Sequence, residues 1–500
     1  MPTTPFAQGM SLYRSGDAPA ALEKFKAAAE ANGEDSAAAY AWLARLQIRT
    51  GRPEEAEASA KKALEINKDL PTAQSAMGEV YYRLARFTEA QEIFRKIVLA
   101  DKQDARAYFG LAKIYWATAN YKSAKQVIDH AHEQDPQDPD IFWPWLRTLG
   151  PDKRLATLKS QLAMHTGEED HQRALLLRNI AALEVQEKKP ETTCKLTSKV
   201  ESTEAKLESL FRDPKHMSGY GVGVHLNETN SVLLIDTGAH GITVTARVAQ
   251  KAGLQKVVDS RTGGIGDQAP ARGYLAFAKK VRIGDLEFTG CNVDVIENGR
   301  SLGEDGLIGT DIFEDFLVDL DFPKKQLRLS PLPPVPDEPP VELSLHSLMP
   351  IDGNVHNRYV PEAYANFEKI YRMGHDLLLP TRINDSPPKL FLLDTGGWDN
   401  MITVAAAREA SKVHSQESTK VSGLSGQVKD VYRTDDITLT FGKFQQHRRD
   451  LLSFDLKHIS DDAGTEVSGI LGFVMLWVME IKIDYRDHLV DLEVDEKRTR

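Results

Sequence analysis

The sequence lacks the features that mark small secreted proteins, membrane proteins and nucleic-acid-binding proteins. Only two cysteines occur, Cys194 and Cys291, which are too few for a disulfide framework and fit a reducing compartment. The formal net charge is −11 and no basic tract stands out, which argues against nucleic acid as a main partner. No uninterrupted apolar run has transmembrane length, so we expect a soluble protein without a membrane span.

Signals for export, metal binding and nucleotide binding are also missing. The start of the chain has no charged and then apolar segment, which predicts a cytoplasmic protein. An exported or periplasmic protein is the alternative if an upstream signal was removed. The motifs His-Glu-x-x-His, paired Cys-x-x-Cys and Gly-x-x-x-x-Gly-Lys-Ser/Thr do not occur, so we expect no metal and no cofactor.

One motif occurs twice, and it is the most informative feature of the chain. Val232–Ala239 (VLLIDTGA) and Leu390–Gly397 (LFLLDTGG) lie 158 residues apart, and each has an apolar run ending in Asp-Thr-Gly. By composition, a tripeptide of this kind is expected only about 0.1 times in a chain of this length. A single copy would be ordinary turn sequence. Two copies in matching contexts indicate that Asp236 and Asp394 have a shared role.

The two stretches continue to match along the chain. Each is followed by Ile-Thr-Val and an alanine-rich, helix-like segment, then by a glycine-rich patch, and finally by apolar-apolar-Gly. A spacing of 12 residues then leads to Asp321 and Asp484, which we expect to open a final strand. The matching segments are 242–244 and 402–404, 263–266 and 423–426, and 307–309 and 470–472.

This doubled pattern resembles the aspartic proteases, specifically two retropepsin-type units in one chain, over about residues 195–500. The resemblance implies an all-β, pseudo-symmetric domain that hydrolyses peptide bonds. Gly397 departs from the family, which usually has Ala, Ser or Thr there. The resemblance implies these roles: Asp236 and Asp394 are catalytic; Thr237, Gly238, Thr395 and Gly396 support the turns; Gly264, Ile265, Gly266, Leu424 and Ser425 form flaps that bind substrate.

The chemistry explains the choice of residues. Two carboxylates about 3 Å apart cannot both ionise, so the pair keeps one proton and acts as a combined general base and general acid. Gly238 and Gly396 supply backbone positions that a Cβ would obstruct.

Some nearby residues have two interpretations that the sequence does not separate. The flap glycines fit hairpin turns without substrate contact as well as they fit a flap. His240 and Trp398 follow the two turns and either line substrate pockets or pack locally. Four further acids are better explained as helix caps or surface charges than as catalytic groups. They are Asp305, Asp311, Asp315 and Asp399.

The first 140 residues contain a helical repeat. Small residues recur with a period of 34 residues, after a first spacing of 35, and let paired helices approach closely. The pattern resembles the tetratricopeptide repeat, which implies a solenoid that binds a protein partner on its concave face. The recurring positions are Gly9, Ala44, Gly78 and Ala112; Ala21, Ala56, Ala90 and Ala124; and Phe25, Ala60, Phe94 and Ile128.

These patterns predict a multidomain protein, because 500 residues exceed what one core usually supports. We expect a repeat solenoid (1–141), a helical cap and linker (142–190), a first protease-like half (191–330), a proline-rich connector (331–345) and a second half (346–500). The predicted function is an aspartic endopeptidase whose repeats recruit a protein. The alternative is a scaffold whose protease-like domain only binds peptides. Tandem halves favour pairing within one chain over pairing between chains, because their effective concentration is high.

Overall fold

The computed structural model describes residues 4–164, 171–187, 194–213, 216–297, 305–336, 356–416, 419 and 421–494. The chain forms two compact units, one from residues 1–189 with 349–357 and the other from residues 190–348 with 358–500. Helices make up the first unit and strands dominate the second, which confirms the predicted fold class. Among the described residues, no helix is both long and apolar enough to span a membrane.

Four helix pairs form the repeat region, and three further helices follow them. The small residues have the predicted role, since a Cβ on Gly9 would lie 2.8 Å from the Phe25 ring and one on Gly78 would lie 2.7 Å from Phe94. The helices are α1 (Pro5–Ser15), α2 (Ala18–Glu30), α3 (Ser36–Arg49), α4 (Pro53–Ile66), α5 (Pro71–Arg83), α6 (Phe87–Ala100), α7 (Ala105–Ala117), α8 (Tyr121–Gln134), α9 (Pro139–Arg147), α10 (Pro151–Met164) and α11 (His171–Glu187).

A buried ion network connects the first helices of the four pairs. Arg45 of α3 contacts Glu79 of α5 at 2.9 Å, and Arg106 of α7 contacts the other oxygen of Glu79 at 3.1 Å. Arg106 also contacts Asp138 at 3.0 Å, and the hydroxyl of Tyr13 in α1 donates to Asp138 at 2.5 Å. The first helix is therefore bonded to the segment that precedes α9.

Two residues of the predicted second half, His356 and Asn357, belong to the repeat unit. The side-chain oxygen of Asn357 accepts from the backbone N–H of Ser123 at 3.1 Å, and the carbonyl of His356 accepts from Lys122 at 3.1 Å. These two oxygens accept from backbone amides in the first turn of α8. The N-cap residue of this helix, Asn120, makes no capping hydrogen bond with its side chain. Residues 337–345 of the predicted connector, and the predicted linker at 188–193, lie outside the described residues.

The first half of the strand-rich unit forms most of a large sheet. Its strands are β1 (Lys195–Leu196), β2 (Thr203–Asp213), β3 (His216–Leu226), β4 (Thr229–Asp236), β5 (Ile242–Thr245), β6 (Gln255–Thr262), β7 (Ala271–Ile283), β8 (Leu286–Ile296), β9 (Gly306–Gly309), β10 (Phe316–Asp321) and β11 (Gln326–Pro331). Helix α12 (Ala246–Lys251) follows β5, and a 3₁₀ turn (Thr310–Phe313) follows β9.

The second half repeats this order with shorter strands. They are β12 (Glu368–Lys369), β13 (Tyr371–Met373), β14 (Asp376–Ile383), β15 (Lys389–Asp394), β16 (Met401–Ile402), β17 (Val413–Ser415), β18 (Ser422–Gly423), β19 (Gly426–Gln427), β20 (Tyr432–Thr434), β21 (Ile437–Phe441), β22 (Phe444–Arg448), β23 (Leu452–Ser453), β24 (Gly469–Gly472), β25 (Met479–Asp484) and β26 (Leu489–Val494). Helices α13 (Val404–Ala410), α14 (Lys457–Ala463) and α15 (Phe473–Leu476) complete it.

The halves join through one sheet and share one hydrophobic core. Strands β10 and β25 pair antiparallel, with Leu317 opposite Asp484 and Asp321 opposite Glu480. Buried apolar residues of both halves form a single cluster, which includes Phe316 and Ile483. The prediction that Asp321 and Asp484 open a final strand is wrong, because each is the last residue of its strand. Their carboxylates accept backbone N–H groups three residues later, which turns the chain.

The repeated Ile-Thr-Val is also out of structural register. Thr243 pairs with Leu307 and Met401 pairs with Ile470, the first apolar residues of the two apolar-apolar-Gly segments. Thr243 and Met401 are therefore structurally equivalent, and each lies seven residues after its aspartate. What the halves share is a threonine N-cap, since Thr245 and Thr403 each accept a backbone N–H in α12 and α13. The sequence match is therefore two residues away from the structural one.

The two cysteines form a disulfide, contrary to the expectation of a protein suited to a reducing compartment. Cys194 is bonded to Cys291 across 97 residues, and both are buried. The bond fixes the chain next to β1 against β8, where the amide of Cys194 also donates to the carbonyl of Gly290 at 3.0 Å.

Candidate active site

Asp236 and Asp394 are the last residues of β4 and β15, two equivalent strands. Each strand pairs in parallel with the apolar-apolar-Gly strand of its own half, with Asp236 opposite Gly309 and Asp394 opposite Gly472. A Cβ on either glycine would overlap a backbone carbonyl of the loop that follows the aspartate. The predicted pairing of the two motifs thus has a steric reason, because only glycine lets the loop pack this closely.

The two threonines bind the turns to each other. The amide of Thr237 donates to the hydroxyl oxygen of Thr395 at 3.1 Å, and the amide of Thr395 donates to that of Thr237 at 3.0 Å. Each hydroxyl then donates across the interface, to the carbonyl of Leu393 at 2.6 Å and of Ile235 at 2.9 Å. All four bonds are buried, so the turns are held in a fixed relative position.

The glycines of the two turns each lie against the aspartate of the opposite half. A Cβ on Gly238 would lie 2.8 Å from the carboxyl carbon of Asp394, and one on Gly396 would overlap the carboxyl of Asp236. The structure therefore brings Asp236 and Asp394 together with all four predicted turn residues.

The two carboxyls have unequal electrostatic environments. Burial raises the pKa of Asp236 well above its ordinary value, and the charge of Asp394 raises it further. Burial also raises the pKa of Asp394, but amide donors of Gly397 and Gly396 stabilise its charged form. Those bonds measure 2.7 and 2.9 Å, whereas Asp236 accepts the amide of Gly238 at 2.9 Å. The proton that the pair retains is therefore favoured on Asp236.

The departure at Gly397 has a structural explanation. A Cβ there would lie 2.7 Å from the Oδ2 of Asp394, which leaves no room for the Ala, Ser or Thr that the resemblance leads one to expect. In the first half, the amide of Ala239 donates to the backbone carbonyl of Asp236 at 3.4 Å, not to its carboxyl. The two turns thus share a backbone path but differ in how they solvate the aspartate.

The predicted flap residues also come together across the halves. The amide of Gly264 donates to the hydroxyl of Ser425 at 3.2 Å, and the amide of Ser425 donates to the carbonyl of Ile265 at 3.0 Å. A Cβ on Gly264 would lie 2.9 Å from Leu424, and Gly266 has a φ of 128°, which favours glycine. The glycine patches are hairpin tips that bind each other.

Sequence reasoning assigned too small a role to Asp311. It is buried, and its carboxylate accepts from the amide of Gly241 at 2.9 Å and contacts the Nδ1 of His240 at 2.6 Å. It therefore holds the loop after Asp236 and is not a solvated surface charge. Asp399, in the equivalent loop of the second half, pairs with Arg448 at 2.8 Å.

Asp376 is a further buried carboxyl that sequence reasoning missed. Burial and the charge of Asp394, followed by the charges of Asp462 and Asp311, raise the pKa of Asp376 to about 7. Its neighbour His375 contacts it at 3.3 Å. No sequence signal marks this residue, because it opens an apolar strand without any motif.

Residues 222–312 match the family model described as an aspartyl protease. This part of the chain is therefore similar to an aspartyl protease domain. The matched residues include Asp236 and extend past Gly309, so they cover both motifs of the first half. Residues 6–71 and 82–142 match models of the tetratricopeptide repeat, which confirms the second resemblance. No curated protein matches this chain.

Proposed function

We propose that this protein is an aspartic endopeptidase that hydrolyses peptide bonds with a water molecule activated between Asp236 and Asp394. The observation that carries the proposal is the pair of adjacent aspartates, each placed by an equivalent strand and turn. The match of residues 222–312 to the aspartyl protease model supports the same reaction. Chemistry of this kind needs no cofactor.

The unequal environments suggest a role for each carboxyl. Asp394, which accepts two amide N–H groups, is the ionised member of the pair. It takes a proton from the water molecule while the water oxygen attacks the carbonyl carbon of the peptide bond. Asp236 is the protonated member and gives its proton to the carbonyl oxygen. A tetrahedral diol forms. Its collapse breaks the C–N bond, and the proton held by Asp394 passes to the leaving nitrogen while Asp236 is reprotonated by the diol.

The experiment is a cleavage assay on a denatured protein mixture, with and without a general aspartic-protease inhibitor, followed by sequencing of the fragments. We expect fragments that disappear when the inhibitor is present and persist with a metal chelator. Binding of peptides without any fragments would favour the alternative, a scaffold whose protease-like domain does not cleave.

We propose further that the repeats recruit a protein substrate or partner. The tetratricopeptide matches support this role, because such repeats present an extended concave surface. The ion network around Arg106 lies among the first helices of the pairs, so its integrity should control the shape of that surface.

The change Arg106→Met tests recruitment. It removes a buried cation from Glu79 and Asp138, which keep Arg45 and the hydroxyl of Tyr13 as side-chain partners, and the expected loss of helix stability is about 3–5 kcal/mol in a thermal melt followed by circular dichroism. Cleavage of a native protein should fall while cleavage of a short peptide persists. Arg14→Met is the matched control, since its pair with Asp135 is exposed and contributes about 0–1 kcal/mol. An equal loss against both substrates would contradict a recruiting role.

For localisation, we propose the exported alternative over the cytoplasmic one. The disulfide between Cys194 and Cys291 supports it, because such bonds persist mainly in oxidising compartments. Alkylation of cells under acid quench, followed by mass spectrometry of the two cysteines, tests the proposal. Free thiols in the native protein would instead favour the cytoplasm.

A further inference from the structure

The pairing register identifies equivalent positions in the two halves around the aspartate pair. Because Thr243 and Met401 occupy the same place in their sheets, His240 is equivalent to Trp398. Both side chains are partly exposed, with 35% of the His240 side chain and 49% of Trp398 accessible to solvent. Each follows its own aspartate by four residues, so the two residues occupy equivalent places after the two Asp-Thr-Gly turns.

The residues around His240 are polar. His240 contacts Asp311, and Thr310 shares a 2.5 Å hydrogen bond with the hydroxyl of Tyr485 from the second half. The ring of His375, also from the second half, lies 5.4 Å from that of His240. This cluster therefore combines residues of both halves.

The surroundings of Trp398 are apolar at the same positions. Trp398 lies 6.0 Å from Phe473, which occupies the place of Thr310. The ring centroid of Phe473 lies 5.7 Å from that of Phe322 and 5.5 Å from that of Tyr220. Phe322 is the equivalent of Tyr485 in the other half. Gly219 takes the place of Asp376, as the pairing of β3 with β4 and of β14 with β15 shows.

The charges around His240 and His375 are mostly negative. The groups that act on this cluster are the acids Asp294, Asp311, Glu314, Asp376, Asp394 and Asp462, and the bases His240, Arg372 and His375. Arg372 is already paired with Glu314 at 2.7 Å, and burial lowers the pKa of His375. Burial opposes the charged form of His240, but its hydrogen bond to Asp311 and the charge of that carboxylate raise the pKa of His240, so these two groups offset each other in charge. The acids that remain are Asp294, Asp376, Asp394 and Asp462. At the Trp398 side, Asp399 and Arg448 neutralise each other. The two sides therefore differ in charge as well as in polarity.

We propose that the substrate cleft is polarised, so that it selects peptides with a large apolar or aromatic side chain beside Trp398 and a lysine or arginine side chain beside His240. The inference rests on the proposed peptidase function and specifies its substrate class. Trp398 gives an apolar platform over Phe473. His240 and His375 lie beside the buried carboxyls of Asp311 and Asp376, in a cluster with an excess of acids that attracts a cation.

The first experiment cleaves a mixed peptide library with the purified full-length protein and sequences all products. We expect aromatic or large apolar residues to be enriched on one side of the cleaved bond and lysine or arginine on the other. Equal preferences on both sides, or acidic residues in place of basic ones, would overturn the polarised cleft. If no peptide is cleaved, the proposed peptidase function itself fails, so the two failures are distinguishable.

The second experiment uses pH to test the charged side. The pKa of Asp376 is about 7, so its charge appears between about pH 6 and 8. The ratio of kcat/KM for a lysine peptide to that for its norleucine analogue should then rise by about three- to tenfold. Asp376→Asn should flatten this rise, whereas Asp385→Asn, an exposed acid beyond the other end of the same strand, should leave it unchanged. An unaltered rise in Asp376→Asn would contradict the role given to this carboxyl.

The third experiment tests the apolar side. Trp398→Ala should reduce the enrichment of aromatic residues by about tenfold and leave the lysine preference on the other side in place. A loss of both preferences together would mean that the change disturbs the whole cleft, and the polarised reading of Trp398 would be wrong. Repeating the library with His240→Gln gives the reciprocal pattern if the proposal holds.

Discussion

The two halves of the strand-rich unit hold their aspartates with the same backbone arrangement but surround them with different side chains. In both, the aspartate ends a strand that pairs in parallel with an apolar-apolar-Gly strand, and a threonine bonds across the interface. The loops that follow diverge at once, with His240 and Asp311 in one and Trp398 and Phe473 in the other. The shared features are those that fix two carboxyls in contact. The differing features lie at the positions where we propose that the substrate is selected.

Replacing either aspartate should have the largest effect and tests whether both halves contribute to one site. Asp236→Asn and Asp394→Asn should each lower kcat/KM by at least about 10³-fold, because one carboxyl cannot alternate as base and acid. The fold should be kept, since Asn has nearly the same shape as Asp and carries no charge. Circular dichroism and a peptide assay check the two statements. If one variant kept near-normal turnover, the halves would not share a dyad.

Removing either threonine hydroxyl should show that the two halves contribute equally to the stability of the paired turns. Thr237→Val or Thr395→Val leaves a buried amide and a buried carbonyl without partners, at a cost of about 2–4 kcal/mol in the free energy of unfolding. Urea unfolding measures this cost. The two variants should agree to within about 1 kcal/mol, and a clear difference would mean that one turn depends less on the interface.

Exchanging the residues after the two turns should reveal their inequality. Gly397→Ala places a Cβ against the Oδ2 of Asp394, so we expect kcat/KM to fall by about tenfold, or 1.4 kcal/mol. Ala239→Gly, the matched control, removes a methyl group from a loop that does not crowd its carboxyl and should stay within about twofold. Equal effects would contradict the steric explanation for Gly397.

The pH profile should show the smallest and most specific effect. Burial raises the pKa of both Asp236 and Asp394, so the singly protonated pair persists to higher pH, and we expect an optimum in the weakly acidic to neutral range. Ala239→Ser adds a hydroxyl that can donate to the ionised pair and should shift the acidic limb of kcat/KM to lower pH. An optimum at about pH 2–3, as in pepsin-like enzymes, would contradict this assignment.

Local backbone requirements made the core of the candidate site predictable from the sequence. Asp-Thr-Gly and apolar-apolar-Gly allow few other arrangements of the chain. Gly309 and Gly472 have to be glycines because the loop after each aspartate packs directly against their backbone. The Ile-Thr-Val match was misleading for the opposite reason. A short apolar segment fits a strand in either of two registers, and the N-cap threonines decide between them.

Contacts between distant segments could not be predicted. The pairing of Cys194 with Cys291 depends on how β1 lies against β8, whereas the cysteine count alone fits a reducing compartment. The contacts of His240 with Asp311 and of Asp376 with His375 depend on burial, which no local pattern around these residues signals. The roles of polar residues that depend on tertiary contacts therefore cannot be predicted from a single sequence.

The position of the disulfide has a consequence for the order in which the molecule is made. Both cysteines precede Asp394 in the chain, and the bond closes a loop that lies entirely within the first half. Synthesis at about 5–20 residues per second leaves several seconds between the appearance of Cys291 and that of Asp394. The covalent link can therefore close around the first aspartate before the second exists, so that the later half assembles on a partner that is already cross-linked.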